Sequence, residues 1–204
     1  MKNLLVILFP FLSFAQIDND ALQAEFGKLL NEYRISKGKT PVTFNADAKG
    51  AAKIQADYLA STWHKDASGQ FVGILGHTNP DPDLKTPHDR VLAVNSKYDS
   101  LFTNNILSAS ECAAFIGGDK LNTKEAAARV LDLWKKSAPH NEALLDKYTI
   151  NLEFGIYLST SEIQVAYYEY IADLATMSSK PVTKYRTETV YSIALVFITK
   201  VIWY

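Results

Sequence analysis

Cysteine is almost absent from this chain. A single Cys in 204 residues, Cys112, cannot close an intramolecular disulfide, which excludes a disulfide framework and a cysteine-based zinc site. A surplus of charge is missing too. With 21 basic and 22 acidic side chains the net charge is −1, which argues against a nucleic-acid binder with its basic stripe. Glycine and proline are sparse at 9 and 7 residues, so a collagen-like or low-complexity chain is excluded. No internal repeat occurs. Several chemical signatures are lacking: there is no GxSxG, no Walker A loop, no GxGxxG and no HExxH. Hydrophobic residues at 48% and charged residues at 21% remain, an ordinary globular balance that also excludes wholesale disorder. The length suits one domain with its own core, or one domain and a tail.

The apolar stretches present are short. Leu4 to Phe14 is interrupted only by Pro10 and Ser13, follows Lys2, and leads to Ser13-Phe14-Ala15 with small residues where a signal peptidase reads. Residues 1–15 are therefore expected to be a signal peptide, and the chain to be secreted or periplasmic. The run is shorter than the roughly 20 residues a bilayer span takes, so no stable membrane span is expected. No Cys follows it to carry a lipid anchor. Val190 to Tyr204 is also apolar, but Lys200 interrupts it.

Helical periodicity places Leu22, Phe26, Leu29, Leu30 and Tyr33 on one face of a helix over Asp18 to Ser36. Pro41 to Phe44 reads as a short extended piece. Asn45 then caps a second, alanine-rich helix suited to close packing. Trp63 to Asn105 is loop-rich, with a turn cluster at Asn79 to Asp83 and a helix start at Thr86-Pro87. Thr123 to Lys136 is the clearest helix, and Ser137-Ala138-Pro139-His140 starts a short one through Leu145. Ile150 to Leu158 alternates as a half-buried strand. Ser159-Thr160-Ser161 reads as a turn to a second strand, Ile163 to Ile171, and the two are expected to form a hairpin. Ser178 to Pro181 reads as a break before a third strand, which would be sticky as an exposed edge.

Two histidines stand in informative settings, His77 after Gly76 and His140 after Pro139, with Glu111 between them in sequence. Neutral imidazoles bind zinc or copper, and a carboxylate can complete such a site or serve as a base. No local ligand spacing joins them. On residues alone each His reads as a surface or hydrogen-bonded structural residue. His64 and His88 lie in polar loop contexts and are expected to be solvent-exposed. Cys112, among Ala113, Ala114, Phe115 and Ile116, reads as buried and unreactive.

Taken in order, these pieces resemble the CAP superfamily, which contains the cysteine-rich secretory proteins, antigen 5 and the pathogenesis-related 1 proteins. The resemblance is carried by Leu29-Leu30-Asn31-Glu32-Tyr33-Arg34, Pro41-Val42, Gly76-His77, Pro87-His88-Asp89-Arg90 and Glu111. It continues through Trp134 to His140, Leu144-Leu145 and the strand with Gly155. The chain is similar to the short bacterial branch without disulfides. The resemblance implies an α+β fold, an α-β-α sandwich with a small antiparallel sheet between helices, over residues 16–172. Residues 173–204 would be a C-terminal tail carrying an added strand. It implies a central cleft with two His and two acidic residues. His77 and His140 match the two His, Glu111 matches the first acid, and Ser137 stands where many relatives carry the second. The family's Glu-Asn pair is Glu111-Cys112 here.

What the resemblance implies about function is a secreted binding module. Its cleft would hold a divalent cation on His77 and His140, zinc before others, with Glu111 and Ser137 behind them. The ligand would be a lipid, a sterol or a cell-surface component. The alternative is a metal-assisted hydrolase, a peptidase, using His77, His140 and Glu111 as the candidate base. A third reading is a secreted scaffold whose His and Glu only tie loops together.

Overall fold

The structure is a computed structural model that describes residues 17–117, 121–146, 150–173 and 178–200. The signal peptide expected over residues 1–15 lies outside the described residues. Six α-helices are described: α1 Asn19–Ser36, α2 Ala46–Ser61, α3 Pro87–Val94, α4 Asp99–Thr103, α5 Thr123–Lys136 and α6 Ala138–Leu145. The strands are β1 Thr43–Phe44, β2 His64–Lys65, β3 Phe71–Val72, β4 Leu107–Gly117, β5 Ile150–Asp173 and β6 Ser178–Lys200.

The helix boundaries follow the capping chemistry in the sequence. Asp18 caps α1 and Asn45 caps α2 through side-chain bonds to Asp20 N and Ala48 N. Thr86 with Asp89 and Asn122 with Glu125 form reciprocal capping boxes on α3 and α5. Pro87 and Pro139 each sit in a first helical turn, where no backbone donor is required.

The main sheet has the order β1-β5-β6-β4. β6 runs antiparallel to both β4 and β5, and β1 runs parallel to β5 through Thr43↔Glu153 and Phe44↔Phe154. The sheet is antiparallel, as expected, except at the edge where the two-residue β1 runs parallel. A two-residue strand shows no alternation that would reveal its direction. β2 and β3 form a separate antiparallel ribbon.

One face of the sheet packs Leu152, Phe154, Ile156 and Leu158 of β5 and alternate residues of β4 and β6 against α1, α5 and α6. The other packs Ala194, Val196, Ile198 and Ala109 against α2 and α3. The fold is thus α+β, a sheet sandwiched between two helical layers. Trp134 is fully buried, edge-on to Phe26 at 5.8 Å between ring centroids. Ala48, Ala51, Ala52 and Ala56 bring α2 close to the sheet. At Gly155 the approach is so tight that a Cβ would collide with the backbone of Ala48 and Lys49.

Two expectations of the strand pattern are corrected. Ser159 to Ser161 is no turn: β5 runs straight through it, pairing Ser159, Thr160 and Ser161 with Ser192, Tyr191 and Val190. The hydroxyls that suggested local turn bonding reach α2 instead, Ser159 Oγ to Asp57 and Ser161 Oγ to the Ala60 carbonyl. The hairpin is made by β5 and β6. Ser178 to Pro181 is likewise no break but the start of β6, where Pro181 faces Tyr170. β4 pairs only with residues 190–200, so Pro181 stands on an edge where its missing donor costs little. Residues 190–200 form a strand, as expected, and it lies between β4 and β5 rather than at an exposed edge.

Candidate functional site

Three separate elements bring together the residues singled out in the sequence. His77 lies on the loop between β3 and α3, Glu111 in the middle of β4, and His140 in the first turns of α6. His77 Nδ1 donates to Glu111 Oε1 at 3.0 Å. The His77 and His140 rings face each other with centroids 6.1 Å apart and planes at 63°. The Glu111 side chain is 1% exposed, whereas that of His77 is 51% exposed, so the site has a buried base and an open mouth.

Arg90 on α3, named in the sequence only within a motif and given no place in the site, is the residue that sequence reasoning misses. Its fully buried guanidinium donates through one terminal nitrogen to Glu111 Oε2 at 2.5 Å and through the other to the carbonyls of Leu84 and Lys85 at 2.9 and 3.2 Å. Both carboxylate oxygens of Glu111 are therefore occupied, one by a permanent cation and one by His77. The loop carbonyls satisfy the terminal nitrogens beyond the pair, while Nε is buried with no hydrogen-bond partner among the described residues. The signal available in sequence is an Arg near the start of a helix that opens on a proline, which periodicity alone reads as a surface residue. Gln55 on α2 is the second omission. It is fully buried and its Nε2 donates to the Gly76 carbonyl at 2.8 Å, fixing the backbone one residue before His77.

His140 is held from the other side. Arg34, 1% exposed on α1, donates to the carbonyls of Thr40 and Leu144, tying α6 to α1. The His140 ring packs 6.4 Å from Trp134, whose indole N–H reaches the Ala113 carbonyl at 3.3 Å. Burial first, and the neighbouring His77 second, hold the His140 imidazolium below the ordinary histidine range. Both effects favour the neutral ring. Among the described residues the His140 Nδ1 is buried with no hydrogen-bond partner.

Ser137 ends α5 and stands at the N-cap position of α6, without a side-chain cap bond. With His140, Lys136, Leu133, Leu75 and Phe115 it lines an open groove of about 350 Å³ beside the histidines. Ile74 and Leu75 lie exposed on the loop leading to His77, giving this side of the cleft an apolar rim.

Other titratable residues stay apart. His64 bonds the Thr62 carbonyl at 2.8 Å in an exposed position, as expected. His88 is not simply solvated. Its Nε2 accepts from the Ala109 backbone N–H at 3.2 Å and its ring meets Phe102 edge-on at 4.7 Å. Burial lowers its pKa, and the bond requires the neutral form. Cys112 faces the α1–α5 layer, where burial pushes its thiol up to about 12.

A family model for the cysteine-rich secretory protein family, CAP, matches residues 28–162, a span that includes His77, Arg90, Glu111, Ser137 and His140. Among solved structures, an outer surface protein of Borrelia burgdorferi is similar at a TM-score of 0.49 and 17% identity, covering 91% of this chain and 97% of that one. A cysteine-rich secretory protein of Staphylococcus aureus is similar at a TM-score of 0.40 and 15% identity, covering 90% of this chain and 40% of that one. No curated protein matches the chain.

Proposed function

The chain belongs to the cysteine-rich secretory protein (CAP) family, and on that premise we propose that it is an exported binding module whose cleft holds a divalent cation on His77 and His140. The observation that carries this reading is the chain Arg90–Glu111–His77 facing His140. A carboxylate fixed to Nδ1 of a histidine sets the tautomer and leaves Nε2 as the free nitrogen, which is how metal-binding histidines are commonly oriented. Across the cleft stands a second imidazole, whose neutral form burial favours, with a buried nitrogen that lacks a partner among the described residues. A pair of imidazoles suits zinc before other divalent ions, and the remaining coordination positions fall to water or ligand. A bound zinc would supply a Lewis-acidic contact for a polar headgroup in the cleft.

The groove past Ser137, with Leu75, Leu133 and Phe115, offers apolar surface for the rest of such a ligand. That combination supports a lipid, a sterol or an amphiphilic cell-surface component. Export is inferred from the apolar start and its small residues at Ser13 and Ala15. No helix among the described residues is long and apolar enough to cross a membrane.

Hydrolysis fits the geometry less well. A general base needs a free carboxylate oxygen within reach of water. Glu111 has both oxygens engaged, so its role is to position His77. The test is zinc titration of the Glu111→Ala variant. The reading expects binding weakened about 10- to 100-fold with unchanged stoichiometry. Unchanged affinity would separate Glu111 from the cation site.

A further inference from the structure

We propose that the projecting end of the β5/β6 hairpin is a docking surface for a neutral carbohydrate chain, held against its tyrosine-rich face. Among the described residues β4 covers β6 only as far as Val190, while β5 and β6 continue to pair from Glu162↔Thr189 to Asp173↔Ser178. This stretch is a two-stranded ribbon extending past the end of β4. Residues directly opposite in an antiparallel pair share a face, so the register sorts the side chains into two sets.

The sorting is by charge. Between Ile163 and Ile171, and between Lys180 and Glu188, the charged residues are Glu169, Lys180, Lys184, Arg186 and Glu188. All five fall on the face of Ile163, Val165 and Tyr167, where Lys184 pairs with Glu169 and Arg186 with Glu188. The opposite face carries Tyr168, Tyr170 and Tyr185, joined by Pro181, Thr183 and Thr187. The three tyrosines are 71%, 69% and 63% exposed, a large aromatic area to leave in water. At the inner end of this face Lys65 reaches in from β2 over the Tyr185 ring at 5.7 Å.

Chemistry narrows the occupant. Between those bounds the face has no charge of its own, and the one lysine described beside it, Lys65 at the inner end, falls far short of the basic stripe that nucleic acid or an acidic polysaccharide requires. Its area is also small. Eight residues on two strands present roughly 300 Å², from the rise and spacing of strands. A stable protein interface needs about 800 Å² per partner, so a second copy of this chain would be poorly held. A sugar ring matches what is present. Its C–H face stacks on an aromatic ring, and its hydroxyls pair with the threonine hydroxyls around it. Tyr168 and Tyr170 stand two residues apart on one strand, about 7 Å, so an extended oligosaccharide can contact both.

The test uses the full chain after export processing, with cellohexaose, maltoheptaose and chitohexaose as probes and a heparin hexasaccharide as the anionic comparison. Binding is read by calorimetry and by shifts of tyrosine ring signals in NMR spectra. The proposal expects at least one neutral probe to bind, with affinity reduced about tenfold or more in Tyr168→Ala/Tyr170→Ala and retained in Tyr168→Phe/Tyr170→Phe. Both tyrosines are exposed, and circular dichroism checks that each variant keeps its fold. The proposal is overturned if none of the neutral probes binds at millimolar concentration, or if the alanine variant binds them equally well. It is also overturned if the heparin fragment alone binds, if phosphatidylcholine vesicles alone depend on the tyrosines, or if their loss converts a dimer to a monomer.

Discussion

Glu111 holds His77 in place: the carboxylate accepts from Nδ1 at 3.0 Å while its second oxygen is locked by the buried guanidinium of Arg90. A side chain from a strand thereby orients a residue of a long loop, 34 positions away in sequence. The loop is tethered independently by Gln55 at Gly76 and by Arg90 at Leu84 and Lys85. The histidine is thus prepositioned without any ligand, as a binding site requires.

Arg90→Ala removes the cation from a fully buried pair and leaves a charged Glu111 behind. The expected loss of folding stability is about 3–5 kcal/mol, measured by urea denaturation. Arg90→Met/Glu111→Leu, which removes both charges, should lose far less. Equal losses in the two variants would show that packing, not charge, dominates at this position.

Lowering the pH should weaken the fold and cation binding together. Burial and His77 depress the folded pKa of His140, so the unfolded chain binds more protons in the window below about pH 6.5. Stability therefore falls as the pH drops from about 6.5 towards the depressed value, and is regained above it. His88, depressed by burial, contributes with the same sign. Thermal melting from pH 7.5 to 4.5, with His88→Gln and His140→Gln as controls, isolates each contribution. An unchanged slope in His140→Gln would contradict its share.

Gly155→Ala should be among the most damaging single-methyl additions. The new Cβ would meet backbone of α2, which cannot swing aside as a side chain can. A loss of about 1–3 kcal/mol or more is expected from overpacking, read as a shift in denaturation midpoint. Gly38→Ala, with nothing within 4 Å but a φ of +69°, should cost about 1 kcal/mol through backbone strain alone.

Cys112 should resist alkylation by iodoacetamide in the folded protein and react on unfolding, because its thiol is buried and its pKa is pushed up to about 12. Rapid native labelling would mean that β4 opens locally.

Local chemistry makes much of the fold legible in the sequence. The caps at Asp18, Asn45, Thr86 and Asn122 and the apolar faces of α1 and α5 each act within a few residues, and each appears in the structure. The strands are harder. The direction of β1 depends on a partner more than 100 residues away, and the interior position of β6 depends on β4 and β5 together. The serines at 159 and 161 carry turn-like chemistry that is spent on α2. In the site, the order of family motifs singles out His77, Glu111 and His140, and the three stand side by side. Arg90 shows in the sequence only as part of a motif, because no sequence period reveals a guanidinium folding inward to meet a carboxylate on another element.

The measurement that bears most directly on the central claim is a calorimetric zinc titration of residues 16–204 after chelator stripping, beside His77→Ala/His140→Ala. The account predicts one zinc ion per wild-type chain and none in the double variant, with circular dichroism showing both folded. Binding that survives in the double variant, or no binding in the wild type, would contradict a cation site on the two histidines.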